Sequence, residues 1–383
     1  MASPRQPIEV TVTVGDEEVL AGILWVHDRR GQSATFAYDQ TYLARPLAYQ
    51  LGPTLPLGAG VVQTHPGKEM FDAFSDSAPD RWGQNLMRRQ ERDRAAAAGT
   101  RPRTLTNADV LLGTHDELRH GAIRFRRPDT TDYWSPAPQG VPRLVSLPRL
   151  LDASDRLGAN DPDAQAISDL LNAGSSLGGA RPKASVATSR GELLIAKFPH
   201  RASDEWDVPG WEKLESDLAV RAGIDMATTE VVQVRGRNVL TSHRFDRDGR
   251  RRVGFASALT MLEAADGDRR SYLEIAEVAE VHSPRPEADL AELYRRIVFS
   301  AMTANTDDHL RNHGFLRTHN GWRLSPAYDL NPNPDNPGWL TTAIDLEDGT
   351  CDLDLVLSVA GYFRLSDADA KRIVVEVEEA TRG

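Results

Sequence analysis

From Ile8 to Val26 the sequence "IEVTVTVGDEEVLAGILWV" alternates apolar and polar positions on either side of Gly15-Asp16, which predicts an antiparallel hairpin. "SATFAYD", Ser33 to Asp39, predicts a further strand. The period then changes. "SDSAPDRWGQNLMRRQERDRAAAA", Ser75 to Ala98, opens on capping residues and continues at helical spacing. "RRPDTTDYWSPAPQGVPRL", Arg126 to Leu144, carries four prolines and a glycine and reads as a linker. These signals predict an N-terminal α+β unit over residues 1–127.

A second unit is expected over 145–383, with a β-rich part at about 145–255 and a helical part at about 256–383. A helix is predicted near Asp163 to Leu171. "KASVATS" and "ELLIAKF" are short β runs joined through Arg190-Gly191, and "TTEVVQVRGRNVLTSHRFDR" predicts a hairpin about "RGRN". Leu290, Leu293, Tyr294, Ile297, Val298 and Ala301 recur at helical spacing and predict a buried helix. After it, "GFLRTHNGWRLSPAYDL" predicts a hairpin about Asn320-Gly321. The whole is an α+β, bilobal, protein-kinase-like outline: a small β-rich lobe followed by a mainly helical one.

With 383 residues, 40% of them hydrophobic, the chain has material for two or three packed subdomains. No apolar run reaches membrane-spanning length, and "MASPRQPIEV" lacks the apolar core of a signal peptide, so a cytoplasmic protein with no membrane partner is expected. The single cysteine, Cys351, excludes an internal disulfide and a multi-cysteine metal site. A net charge of -11 makes the chain as a whole a poor match for nucleic acid. The local run "RFDRDGRRR", Arg244 to Arg252, is explained at least as well by a charged hairpin tip.

Candidate chemistry lies at the end of the long helix, in "ANTDDHLRNHGFL", Ala304 to Leu316. Phosphoryl transfer asks for backbone amides near the phosphates, a cation, a carboxylate facing the acceptor hydroxyl and oxygen ligands for Mg²⁺. "GSSLGGARPK", Gly174 to Lys183, is a glycine-rich turn suited to close phosphate approach, although it is not a Walker A sequence. Lys197, ending an apolar strand, could reach α/β-phosphates, with Glu212 or Glu215 as its ion-pair partner. Asp307 could accept the proton of an attacking hydroxyl, while Asn312 and Asp329 supply oxygen ligands to Mg²⁺. Asp308 is the neighbouring carboxylate left without a role. His309 and His313 have ligand chemistry for zinc but lack a third protein ligand.

Together "SSLGGARPKA", "IAKFP", "NTDDHLRNHG" and "SPAYDL", in that order, resemble the HipA family of bacterial serine/threonine kinases, the toxin halves of HipBA-type toxin–antitoxin systems. "FDAFSDSAPDRWGQNLM" is similar to the family's N-terminal subdomain, and "GFASALTML" to its kinase core. The resemblance implies ATP and Mg²⁺ as cofactors and Asp307 as catalytic base, with Asn312 and Asp329 binding the metal. It implies nucleotide contacts from Gly178, Gly179, Ala180, Arg181, Pro182, Lys183 and Lys197. Further contacts are implied from His243, Arg244 and Phe245 beside the adenine, and from His309, Asn312, Tyr328 and Asp329. It also implies autophosphorylation on Ser176, with Ser175 as competitor.

The partners implied are a translation-related protein substrate such as an aminoacyl-tRNA synthetase, and a small helix-turn-helix antitoxin of the HipB type. DNA would be met only through that antitoxin. Two rival readings of the same residues are a small-molecule phosphotransferase and a catalytically inactive binding module.

Overall fold

The computed structural model describes residues 7–27, 33–134, 140–159, 164–174, 181–201, 203–335 and 337–382. Its strands are β1 (Ile8–Val14), β2 (Glu17–His27), β3 (Ser33–Tyr38), β4 (Val62–Gln63), β5 (Arg124–Arg126), β6 (Lys183–Ala187) and β7 (Leu193–Lys197). They continue with β8 (Thr229–Val234), β9 (Arg237–His243), β10 (Arg247–Asp248), β11 (Arg251–Arg252), β12 (Phe255–Ser257), β13 (Gly314–Arg317) and β14 (Trp322–Leu324). The helices are α1 (Gln40–Leu43), α2 (Asp72–Ser75), α3 (Arg81–Ala97), α4 (Asn107–Leu112), α5 (Leu147–Gly158) and α6 (Ala164–Ala173). After them come α7 (Val208–Arg221), α8 (Ala258–Met261), α9 (Tyr272–His282), α10 (Pro286–Thr303), α11 (Leu353–Ser358) and α12 (Asp367–Thr381).

Two compact units are formed. The first comprises Met1–Asp204, Val234–Arg237 and Asp246–Phe255; the second holds Glu205–Gln233, Asn238–Phe245 and Ala256–Gly383. The predicted N-terminal hairpin is present as β1 and β2, turning at Gly15 with φ +61°. It sits in an antiparallel sheet of order β4-β3-β2-β1-β5. Ile8, Val10, Val12 and Val14 put their side chains inward, as their period of two requires. One face is closed by an edge-to-face aromatic stack: Phe36 lies 5.4 Å from Phe74, and Phe74 lies 5.7 Å from Phe125.

The linker at 126–144 does not end this unit, which continues to Asp204. Packing across the linker is the reason. Trp82 and Leu86 of α3 share a buried cluster with Ala153 of α5 and with Ala166 and Leu170 of α6. Proline content reports a break in regular structure; it does not report what the flanking helices bury.

Residues 246–255 also belong to the first unit, through a network of buried charge. Arg119 is fully buried, and burial pulls its guanidinium down to about 9 against the opposing pull of Asp116. Asp116 pairs with Arg124, lies 3.8 Å from Arg119 Nε and 3.4 Å from Arg252 Nη2, and accepts 2.7 Å from the same Arg252 nitrogen on its backbone oxygen. Arg247 donates to the carbonyl of Arg119 at 2.7 Å, and Gly121 N–H donates to Asp246 at 2.7 Å. Gly121 has φ +74°, and a Cβ there would stand 3.2 Å from the Phe255 backbone, so only glycine fits comfortably. The basic run is thus a hairpin, β10–β11, whose Arg247 and Arg252 are committed to intramolecular partners.

In the second unit α10 is the predicted buried helix. Leu290, Leu293, Tyr294, Ile297 and Val298 are all fully buried, and Ala301 is half-buried at its end. The β8–β9 hairpin turns at Arg235 and Gly236, with φ +51° and +74°, the positive pair that a two-residue turn of the primed type needs. β13 and β14 form the second predicted hairpin, pairing Phe315 with Leu324. Gly321 is required there for a different reason, since a Cβ would stand 2.3 Å from the carbonyl of His282. Cys351 is half-buried, and burial pushes its thiol up. No helix among the described residues is long and apolar enough to cross a membrane.

Candidate active site

The long helix α10 stops at Ala304, which adopts a left-handed conformation (φ +56°) and throws the following loop off the helix axis. Residues 304–313 then run alongside residues 325–333. Asn333 N–H donates to Ala304 O at 2.8 Å, Asn331 N–H donates to Asn305 Oδ1 at 3.0 Å, and Tyr328 O–H donates to Arg311 O at 2.6 Å. A buried guanidinium supports the second strand of this pair: Arg296 of α10 donates to the carbonyl of Ser325 at 2.8 Å. These bonds bring Asp307, His309, Asn312, Tyr328 and Asp329 into one loop cluster.

Within that cluster the two faces differ. Asp307 is exposed, so its carboxylate is open to solvent. Asn312 is buried; its Nδ2 donates to Asp307 O at 3.1 Å, which leaves Oδ1 as the atom still to be satisfied. Asn312 Oδ1, His309 Nδ1 and Asn331 Oδ1 are buried polar atoms with no hydrogen-bond partner among the described residues. Buried polar atoms of this kind are places that a water molecule or a ligand can satisfy. An amide oxygen and a carboxylate are hard-oxygen donors of the kind that suits Mg²⁺, which takes few protein ligands and completes its shell from water and phosphate. Among the described residues no three His, Cys, Asp or Glu side chains converge to hold a metal ion.

Asp329 is the strained member. Its φ is +60°, and its Oδ1 accepts from Asn331 Nδ2 at 3.2 Å. A left-handed aspartate costs about 1–2 kcal/mol relative to glycine there. Asp329→Gly and Asp329→Ala both remove the carboxylate, so their difference isolates the backbone. The glycine variant is expected to be about 1 kcal/mol more stable than the alanine variant in urea unfolding; equal midpoints would mean that the conformation is not strained.

Asp308 has a definite place that its position beside Asp307 conceals. It is buried, with Oδ1 3.0 Å from His313 Nε2, and its carbonyl accepts from Thr342 Oγ1 at 2.5 Å. His313 in turn packs edge-on against Tyr272, with ring centroids 5.3 Å apart. The pair ties the residue after Asp307 to the residue after Asn312. The sequence signal was present as Asp-x-x-x-x-His, but the zinc alternative obscured it.

Of the residues expected beside the adenine, Phe245 lies 5.3 Å from the Tyr328 ring, His243 N–H donates to Thr228 O at 2.8 Å, and Arg244 is buried. Both glutamates of α7 are buried. Glu215 stands by the end of α10: burial pushes its carboxyl up to about 7, opposed by a hydrogen bond from Thr303. Because the folded state holds this proton more tightly than the unfolded chain, the stability is fully present below about 4.5 and is lost as pH rises through about 7. Glu215→Gln is therefore expected to raise stability by roughly 2–3 kcal/mol at pH 8 and by nothing at pH 4.5, measured as Tm against pH. A pH-independent difference would rule out the ionisation as its source.

In the first unit, Lys183 and Lys197 face each other across β6 and β7. Lys183 is buried with its ammonium 2.9 Å from Asp80, the residue that caps α3 through Gly83 N–H. Its ammonium is thus held within the fold by a carboxylate. Lys197 is half-buried at its strand end, and Arg181 is ion-paired with Asp204. Gly178, Gly179, Ala180 and both serines, Ser175 and Ser176, lie outside the described residues.

The fold is therefore an α+β fold of the kinase-like type. A family model described as the HipA-like C-terminal domain matches residues 175–383, and one described as the HipA N-terminal domain matches residues 12–105. The chain belongs to the HipA family. Its structure is similar to a chain of the Shewanella oneidensis MR-1 toxin–antitoxin complex of HipA, HipB and operator DNA, with a TM-score of 0.67 and 18% identity, covering 97% of this chain and 88% of that one. It is also 27% identical over 181 residues to the protein named "Putative kinase Y4mE" of Sinorhizobium fredii (strain NBRC 101917 / NGR234). That similarity takes in 40% of this chain and 41% of the relative's length.

Proposed function

We propose that this protein is an ATP- and Mg²⁺-dependent serine/threonine protein kinase that acts as the toxin of a toxin–antitoxin pair. The observation that carries the reading is the loop cluster of exposed Asp307, unsatisfied Asn312 Oδ1 and strained Asp329. Family membership and the likeness to the Shewanella complex support it. Asp307 accepts the proton as the substrate hydroxyl attacks the γ-phosphorus; the bond from that phosphorus to the β,γ-bridging oxygen breaks, and ADP leaves. Asn312 Oδ1 and the Asp329 carboxylate would hold Mg²⁺, which would supply charge neutralisation for the phosphates. Asp308 and His313 keep Asp307 and Asn312 in register. Lys197 is proposed to provide a point charge for the phosphates, and Gly178, Gly179, Ala180 and Arg181 to provide backbone amides.

The partner proposed is a small helix-turn-helix antitoxin of the HipB type, and the substrate is a translation-related protein such as an aminoacyl-tRNA synthetase. Ser176 is the proposed autophosphorylation site, where the added charge would repel ATP phosphates from the adjoining loop. The test is transfer of labelled γ-phosphate from ATP, with mass spectrometry to locate phosphoserine. Phosphate on Ser176 in the native protein and its absence in Asp307→Asn is the expected pair of results. A native protein that transfers no phosphate to itself, to its antitoxin or to a proteome extract would overturn the reading.

A further inference from the structure

Charge is unevenly placed on this chain. Between Arg81 and Arg103 there are seven arginines, no lysine, and only Glu91 and Asp93 as acids, a net of 7 - 2 = +5 within a chain of net -11. The remaining residues therefore carry -16 (-11 - 5), and the positive excess has to be local.

Most of that excess lies along α3. Arg81, Asn85, Arg88 and Arg92 follow one another at intervals of four, three and four, so they share one exposed face. At 3.6 residues per turn the three arginines fall within about 40° of arc and span about 16 Å. Neither acid of the segment shares this stripe. Asp93 projects well to one side, and Glu91 flanks the stripe on the other side, three residues from Arg88, where it is held by Arg94 and Arg103 at 2.9 and 3.7 Å. Arg88 donates only to the neutral oxygens of Asn85 and Gln84, at 3.1 and 3.0 Å. Arg81, Arg88, Arg89 and Arg92 form no ion pair among the described residues. Elsewhere arginines are commonly bound to carboxylates, as Arg126, Arg149, Arg237, Arg295 and Arg311 are.

A helix does not gain from this arrangement. Arg88 and Arg92 are like charges at i,i+4, a spacing that destabilises an isolated helix. The opposite face of α3 already supplies its fixation through Trp82 and Leu86. A solvated helix face would ordinarily mix signs, as α12 does with Asp369, Arg372 and Glu376.

We infer that the α3 arginine stripe is a docking surface for the phosphate backbone of nucleic acid. Complementarity argues for that occupant. Guanidinium is the cation of choice for bidentate phosphate contact, and a straight row of three, unpaired and exposed, matches a regular row of phosphates. An acidic peptide places its carboxylates irregularly on flexible stems and gains less from a rigid row. The contact reads no sequence, because only phosphates are met. It is independent of the kinase chemistry.

The experiment is fluorescence anisotropy of the full-length protein with labelled 20-nucleotide duplex DNA, duplex RNA and poly-glutamate, over 50 to 200 mM salt. Measurable binding to duplex nucleic acid is expected, with log K falling linearly in log salt. The triple variant Arg81→Gln, Arg88→Gln, Arg92→Gln should weaken it at least tenfold and reduce the DNA salt slope by about 2.7, that is 0.9 for each of three phosphates. The triple lysine variant should keep most of the slope. Comparable binding to DNA and RNA is the expected pattern for a backbone contact. Either an unchanged slope in the glutamine variant, or wild-type binding to poly-glutamate alone, overturns the inference. So does a wild type that binds no nucleic acid at 50 mM salt. Far-ultraviolet circular dichroism of the variants separates loss of contact from loss of the helix.

Discussion

Asp307→Asn is expected to reduce phosphate transfer by roughly 10²–10⁴-fold while ATP still binds. The substitution keeps the size and polarity of an exposed side chain whose backbone oxygen, the acceptor for Asn312 Nδ2, is untouched. The fold should therefore survive, and the loss should fall on kcat with KM for ATP nearly constant. Single-turnover transfer from labelled ATP, alongside calorimetric ATP binding, measures the two separately. Turnover within threefold of the native protein would remove Asp307 from the role of base. Asp308→Asn is not a neutral control for this comparison, because its carboxylate is buried against His313.

Asp116→Ala is expected to destabilise the first unit strongly, at about 3–5 kcal/mol. The carboxylate is shared by Arg124, Arg119 and Arg252, and two of these guanidiniums are buried. Removing it leaves positive charges in a low-dielectric interior with their mutual repulsion uncompensated. Arg94→Ala, which takes away an exposed partner of Glu91, should cost far less by comparison. Denaturant melts of both variants test the ranking. A loss below about 1 kcal/mol for Asp116→Ala would show that water reaches the network.

Much of the scaffold was legible because it rests on periodicity. The β1–β2 hairpin, the buried helix α10 and the β13–β14 hairpin all follow from alternation or helical spacing in consecutive residues. The loop carrying Asp307 and Asn312 was legible as an unusual density of polar residues at the end of an apolar helix. What escaped were pairings between distant positions. Nothing in the sequence joins Lys183 to Asp80 or Arg252 to Asp116, since burial of charge depends on which surfaces the fold presses together. The strain at Asp329 was also hidden, because aspartate carries no mark of a left-handed backbone. Glycine at 321 was read through its turn chemistry, whereas its close approach to His282 is what excludes a side chain.

The clamp between residues 116–124 and 246–255 bears on how this chain can be divided. A cut at the proline-rich segment 126–144 would be natural on paper, yet it separates Asp116 from Arg252 and Gly121 from Asp246. A cut there would therefore remove partners that the buried charges of residues 116–124 hold. Expressed by itself, the amino-terminal segment would expose charged residues shaped to be covered, and a gene truncated after the linker would encode a chain in search of its own missing hairpin. Supplied as two polypeptides, the halves would carry their own recognition element. The hairpin at 246–255 would act as the key, and Asp116 with buried Arg119 as the wards of the lock.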